Sequence, residues 1–141
     1  MRGMVVAAGV LVVLTLAACG GGDNSSDLMG VPWRWTALLE GEATSGLSAV
    51  PDPRSYLLTL DEDGTFGAKA DCNSLGGTYS LSGDELTLEP GPMTMVACGA
   101  RSLSDEYVAS LRRVKTWEIY EEGQLALGFG DDLGYMYFSL G

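Results

Sequence analysis

The sequence predicts a mainly β protein: a small antiparallel β-barrel or half-open barrel of about eight strands with one covering α-helix. Two observations lead to this fold class. From Trp33 onward, apolar and polar residues alternate between Gly- and Asp-rich turns, which is typical of short strands in a barrel or sandwich. One later segment instead repeats its apolar residues at helical spacing.

Short turns separate the predicted strands. Residues 61–64 (DEDG), 82–84 and 121–123 each lie between two alternating segments, and turns of this composition predict antiparallel pairs. The carboxylates of the first turn are therefore interpreted as hairpin residues, and not as a calcium loop. The eight predicted strands are 33–39, 56–60, 66–70, 79–81, 86–88, 117–119, 125–129 and 135–140.

The helix is predicted at about 103–115. Four apolar residues recur on one helical face: Leu103, Tyr107, Leu111 and Val114. Ser102 followed by Asp105 resembles a capping box, and the acidic first turn and basic last turn suit the helix dipole. Because short helices are stabilised mainly by packing, we expect this face to cover an open side or end of the sheet. A partner-binding face is the alternative.

The N-terminal segment has the parts of a bacterial secretory signal: a basic start, a short apolar run and small residues before Cys19. The tetrad Leu16-Ala17-Ala18-Cys19 resembles a lipobox, at which a diacylglycerol is attached to the cysteine before cleavage on its amino side. A transmembrane anchor is the alternative, but the apolar run of 15 residues is shorter than the ~20 of a span. We therefore predict that Cys19 is lipidated and begins the mature protein.

Three segments follow from this interpretation: a signal peptide at 1–18, a lipidated flexible tether at 19–29 and one domain at 30–141. Gly, Asn and Ser dominate the tether, and such a composition predicts a coil. Two acyl chains hold a protein stably on a membrane. The predicted location is extracytoplasmic, with the lipid on Cys19 anchoring the protein to the bacterial cell membrane or outer membrane.

The chain is acidic, with 8 Lys and Arg against 19 Asp and Glu and a net charge of −11 at pH 7. Removing the predicted signal, which carries Arg2 and no acidic residue, makes the charge −12. Such a surface repels phosphate backbones, so nucleic-acid binding is excluded as a predicted function. Solubility is the simplest explanation of the acidity, and a cationic ligand is the alternative.

Two cysteines, Cys72 and Cys98, remain in the predicted domain. An exported protein meets an oxidising compartment, and the chain has no histidine, so a disulfide is predicted before a metal site. Closing this loop would contribute ~3.5 kcal/mol of stability. Two buried free thiols are the alternative.

Two stretches carry a family resemblance. Residues 71–79 (DCNSLGGTY) match a G-C-N-x-x-x-G-x-Y pattern through Asn73, Gly77 and Tyr79, and residues 94–98 (TMVAC) match T-x-M-A-C from Thr94. The chain therefore resembles the META domain family, also called HslJ-like, over about residues 30–140. Further matches are Trp33 in the first strand and Glu106 and Leu111 in the helix, and the departures are Asp71 for Gly and Val96 for Met.

The motif residues have a mainly structural interpretation. Asn73 can bond its own backbone or adopt a left-handed conformation, and the neighbouring glycines allow a bend or a close approach. We therefore expect a turn here. Ligand contacts through Asn73 and Tyr79 are the alternative.

No catalytic residue, cofactor or metal site is predicted. Without histidine there is no Ser-His or Cys-His pair and no His-containing zinc site. The protein is expected not to be an enzyme. The resemblance implies a role in envelope maintenance or in stress and antibiotic tolerance. The alternative is a binding module for a lipid or small apolar ligand, or a pilot for a secretion component; the sequence identifies no protein or small-molecule partner.

Overall fold

The computed structural model describes residues 24–41, 46–130 and 133–141. The predicted signal peptide and Cys19 lie outside these residues. The described strands are β1 (Trp33–Glu40), β2 (Leu47–Ala49), β3 (Tyr56–Leu60), β4 (Thr65–Ala70), β5 (Asn73–Ser82), β6 (Glu85–Met93), β7 (Thr116–Ile119), β8 (Leu125–Gly128) and β9 (Gly134–Leu140). The helices are α1 (Ser25–Leu28) and α2 (Ser104–Leu111), and a 3₁₀ turn spans Pro53–Ser55.

The strands form one antiparallel sheet that closes into a ring. Strand β1 pairs with β3, the following strands pair in chain order to β9, and β9 returns to pair with β1 from Trp33↔Leu140 to Glu40↔Gly134. Eight strands make the ring, and β2 is an addition that pairs with β1 alone. The predicted mainly β fold with a covering helix is confirmed. The sequence analysis missed β2 because its three residues are all exposed and therefore do not alternate.

Two register shifts bend the sheet. One lies between Trp35 and Ala37 in β1, and the other lies between Leu75 and Gly77 in β5. A bulge adds one residue and reverses which side chains face inward, so Leu38 follows Trp35 as the next buried residue of β1. Strand β5 continues through its glycines and is longer than the predicted 79–81, because the glycines form a bulge within the strand and do not end it.

Helix α2 closes one end of the ring, which we call the α2 end. The rings of Trp35, Tyr56 and Tyr107 pack there with centroids 5.2–5.5 Å apart. The Tyr107 hydroxyl donates a hydrogen bond of 2.8 Å to the Leu57 carbonyl, and burial raises the pKa of this hydroxyl well above its usual range. The predicted apolar face of the helix therefore covers the core of the sheet.

Both predicted ends of this helix were wrong in detail. The helix ends at Leu111, so the basic segment 112–115 lies after it and not in its last turn. In this segment the chain turns toward β8, where the Lys115 N–H donates to the Gly128 carbonyl at 2.8 Å. At the other end the N-cap position is Leu103, without a side-chain cap. The Ser102 hydroxyl instead accepts the Ser104 N–H at 3.2 Å.

Helix α1 closes the opposite end, the α1 end. The side chain of Leu28 is 0% exposed, its carbonyl accepts the Trp33 indole N–H at 2.9 Å, and the Gly30 N–H donates to the Leu60 carbonyl at 2.8 Å. Residues 24–29, predicted as part of a flexible tether, therefore belong to the fold. Composition alone predicted a coil because the partners of Leu28 lie on other elements of the ring.

Candidate functional site

The side chain of Asn73, the first residue of β5, is 4% exposed and bonds to a distant segment. Its Oδ1 accepts the Val96 N–H at 2.8 Å, and its Nδ2 donates to the Val96 carbonyl at 2.9 Å. One amide thus pairs both backbone groups of a residue 23 positions away, as a neighbouring strand would. Nδ2 also lies 3.2 Å from Cys98 Sγ and 3.4 Å from Ser104 Oγ.

Two further links hold the same segment. The Thr94 hydroxyl donates to Asn73 Oδ1 at 3.2 Å and accepts the Ser74 N–H at 2.9 Å. Cys72 and Cys98 are joined by a disulfide, with Cα atoms 5.4 Å apart. We call Cys72, Asn73, Thr94, Val96 and Cys98 the Asn73 clamp. It fixes residues 94–98 against the start of β5 although they form no strand.

Asn73 is the buried member of the clamp, and the segment that it holds leaves apolar side chains in solvent. Met95 is 86% exposed and Val96 also stands out from the surface. The amide, hydroxyl and disulfide of the clamp bond to one another or to the backbone, and none of them ionises near neutral pH. Its chemistry is therefore that of a rigid support for an exposed apolar loop.

Gly77 and Tyr79 lie further along β5, outside the clamp. A Cβ on Gly77 would stand 2.2 Å from the Glu89 carbonyl oxygen and 2.7 Å from a ring carbon of Phe66, so the expected close approach is observed. The Tyr79 hydroxyl donates to the Asp61 carbonyl at 2.5 Å. Burial, together with nearby carboxylates, raises the pKa of Tyr79. These two residues support the β3–β4 hairpin.

The acidic turns are held by local hydrogen bonds. Asp63 accepts the Thr65 hydroxyl at 2.6 Å and the Thr65 N–H at 3.0 Å, and these bonds lower the pKa of Asp63. The Ser55 hydroxyl donates to the Asp52 carboxylate at 2.8 Å, and this bond lowers the pKa of Asp52. Within the described ranges, no three His, Cys, Asp or Glu side chains are grouped to hold a metal ion.

Among the depressions on the surface of the described residues, two adjoin each other on the outside of the ring. The first, of about 770 Å³, is bordered by β1, β2, β9 and the turn after β7, and its lining includes Leu39, Leu47, Tyr120 and Tyr137. The second, of about 590 Å³, lies at the α1 end beside Leu140. Both include Tyr120 and Glu121. Sequence reasoning missed them, although the outward-facing tyrosines of 135–140 were a signal.

The family model of the META domain matches residues 26–137. The chain belongs to the META domain family. The fold is also similar to two solved structures. One is an NMR structure of a protein from Burkholderia xenovorans, with 19% identity, 84% of this chain and 86% of that chain covered, and a TM-score of 0.63. The other is a crystal structure of a DUF4847 family protein from Bacteroides vulgatus, with 14% identity, 82% of this chain and 95% of that chain covered, and a TM-score of 0.64.

These two likenesses show the shared fold alone. A comparison with curated proteins gave no match. Among the described residues, no helix has the length and apolar character needed to cross a membrane.

The structure of this META domain explains its two departures from the family pattern. Asp71, in place of Gly, has a left-handed φ of 60°, which Gly adopts freely and Asp tolerates better than most residues. The left-handed residue is thus Asp71, and not Asn73 as the motif had suggested. Val96, in place of Met, offers the clamp only its backbone, so the exchange leaves the hydrogen bonds intact.

Proposed function

We propose that this META domain is the folded part of a membrane-anchored extracytoplasmic lipoprotein that acts without catalysis. Its role is envelope maintenance or tolerance of stress and antibiotics. The observation that carries the proposal is the Leu16-Ala17-Ala18-Cys19 tetrad, which resembles a lipidation site. The fold supports it, because α1, the first described element, begins at Ser25, only a few residues after Cys19.

The arrangement of the motif residues supports a non-catalytic role. Asn73 and Thr94, the polar residues of the clamp that could contact a substrate, bond to each other and to neighbouring backbone. Tyr79 is bonded to the β3–β4 turn. The residues that define the family pattern in this chain therefore stabilise the fold and its exposed loop, a role that needs no bound reactant.

A binding module is the second candidate function, either for a lipid or small apolar ligand or as a pilot for a secretion component. The exposed Met95 on a rigid loop favours it, because a preorganised apolar anchor loses little entropy on binding. Both ends of the ring are covered, by Leu28 and Tyr107. A small apolar ligand would therefore use the outer depression near Tyr137.

Metabolic labelling with palmitate tests the anchor. We expect label in the wild type and none in Cys19→Ser. Equal label in both would overturn the lipoprotein proposal.

Complementation under envelope stress tests the absence of catalysis. We expect Cys19→Ser to abolish complementation while the domain stays folded, and single Asp→Asn and Glu→Gln changes to preserve it. Loss of complementation from one such change, with folding, abundance and attachment intact, would indicate acid–base catalysis at that residue.

A further inference from the structure

We propose that the α1 end and the outer depression beside it form the surface that rests on the lipid membrane. This surface, the tether-side strip, consists of Leu39, Leu47, Tyr120, Tyr137 and Leu140. The inference rests on the proposed lipidation of Cys19. It adds to that proposal a defined orientation of the domain on the membrane.

The length of the chain between lipid and fold sets the orientation. From Cys19 to Asn24 there are five peptide units, which reach at most ~17 Å when fully extended. Asn24 begins the described fold and lines the depression at the α1 end. Since Leu28 anchors α1 in the core, this end of the domain cannot move far from an acylated Cys19.

The side chains at that end suit a membrane interface. Tyr120 is 41% exposed and Leu140 is 53% exposed, and both line the depression that α1 borders. Through Tyr120 the apolar surface continues into the larger depression with Leu47 and Tyr137. Tyrosine is enriched where proteins meet lipid head groups, because its ring is apolar and its hydroxyl is polar.

Charge selects the kind of lipid. Asp27 and Glu121 border the depression at the α1 end, and Glu122 borders the larger one. Carboxylates at this position are repelled by anionic head groups, and salt screens the repulsion. The strip therefore fits a zwitterionic surface such as phosphatidylcholine better than an anionic one.

Fluorescence quenching in vesicles tests the inference. Acylated Tyr120→Trp protein is reconstituted in vesicles of brominated phosphatidylcholine, and its emission is compared with that of wild type. Met95→Trp is the matched control, because Met95 is also exposed but lies at the opposite end, in the segment that the Asn73 clamp holds. We expect the added emission of Tyr120→Trp to be quenched and that of Met95→Trp to be unchanged.

One additional variant and one change of lipid composition sharpen the test. Leu140→Glu in the Tyr120→Trp background should reduce the quenching, because it places a charge in the strip. Replacing part of the phosphatidylcholine with anionic phosphatidylglycerol at low salt should also reduce it, and added salt should restore it. Greater quenching with phosphatidylglycerol would overturn the inference.

The remaining outcomes separate this inference from the function on which it rests. If Cys19 carries no acyl group, both are overturned. If Cys19 is acylated but Tyr120→Trp is not quenched, or is quenched no more than Met95→Trp, only the inference is overturned. A concentration-dependent emission shift of Tyr120→Trp in Cys19→Ser protein without vesicles would assign the strip to a second copy of the chain and would also overturn it.

Discussion

The two ends of the ring are closed by different kinds of interaction. At the α2 end, the Asn73 clamp uses a disulfide and side-chain hydrogen bonds to join residues 20 to 26 positions apart. At the α1 end, a four-residue helix buries Leu28 and bonds to Trp33, only five positions away. The α2 end therefore combines the apolar packing of α2 with polar and covalent links, whereas the α1 end depends mainly on the burial of Leu28 in the ring core.

This difference determines how each end responds to change. A buried polar network needs every partner, because a buried group that is left without a hydrogen bond costs the full free energy of its desolvation. An apolar contact tolerates replacement by another apolar side chain of similar volume. We therefore expect stability to depend on the hydrogen-bonding groups of the side chains at the α2 end, and on the volume of the buried side chain at the α1 end.

The largest expected effect is at the disulfide. Replacing Cys72 and Cys98 by Ala in the mature domain should lower the free energy of unfolding by ~3.5 kcal/mol, because the unfolded chain regains the entropy of an open loop. Urea unfolding measures the change. Reductant should destabilise the wild type by a similar amount and leave the double variant unaffected. If reductant changes neither protein, the clamp is not covalent in solution.

The next effect is at the opposite end. Leu28→Ala should cost about 3 kcal/mol, since it removes a fully buried side chain and leaves a cavity, whereas Leu28→Met should cost less than about 1.5 kcal/mol. Asn24→Ala, at an exposed position of the same end, is the control. A Leu28→Ala protein as stable as this control would mean that α1 does not close the ring.

Asn73 distinguishes chemistry from volume. Asn73→Ala should cost about 2 kcal/mol through lost hydrogen bonds. Asn73→Asp keeps the shape but turns a carboxylate oxygen toward the Val96 carbonyl, so it should be at least as destabilising at pH 7. If Asn73→Asp is as mild as Leu28→Met in urea unfolding, the contrast between the two ends fails.

The smallest effect is a pH dependence at the α2 end. Burial raises the pKa of Tyr107 above its ordinary value of 10.0, so the folded state keeps this proton where the unfolded state releases it. The stability contributed by Tyr107 is thus complete below pH 10 and falls by ~1.4 kcal/mol per pH unit above it.

The free energy of unfolding, measured from pH 9 to 11.5, should therefore fall less steeply with pH for Tyr107→Phe than for the wild type. Tyr137→Phe removes a more exposed tyrosine whose pKa burial also raises, so it should change the slope in the same direction but less than Tyr107→Phe does. Parallel pH curves for Tyr107→Phe and the wild type would contradict the predicted role of this buried hydroxyl.

Local patterns identified the eight ring strands, because alternation reports which face of a strand is buried. They also identified the apolar face of α2. They failed at the helix end after Leu111 and at α1, where the deciding partners, Gly128 for Lys115 and the ring core for Leu28, are distant in sequence. The sequence singled out Asn73 and Thr94 but could not show that they meet.

The sequence by itself therefore determined the mainly β class, the positions of the eight ring strands, the chain's acidity and the residues of the family pattern, since each depends on composition or short-range spacing. Only the tertiary structure decided that β9 returns to β1, that Asn73 pairs with Val96, and that Tyr120 and Leu140 lie beside α1. These are contacts between segments far apart along the chain. Spacing along one strand or helix carries no information about such contacts.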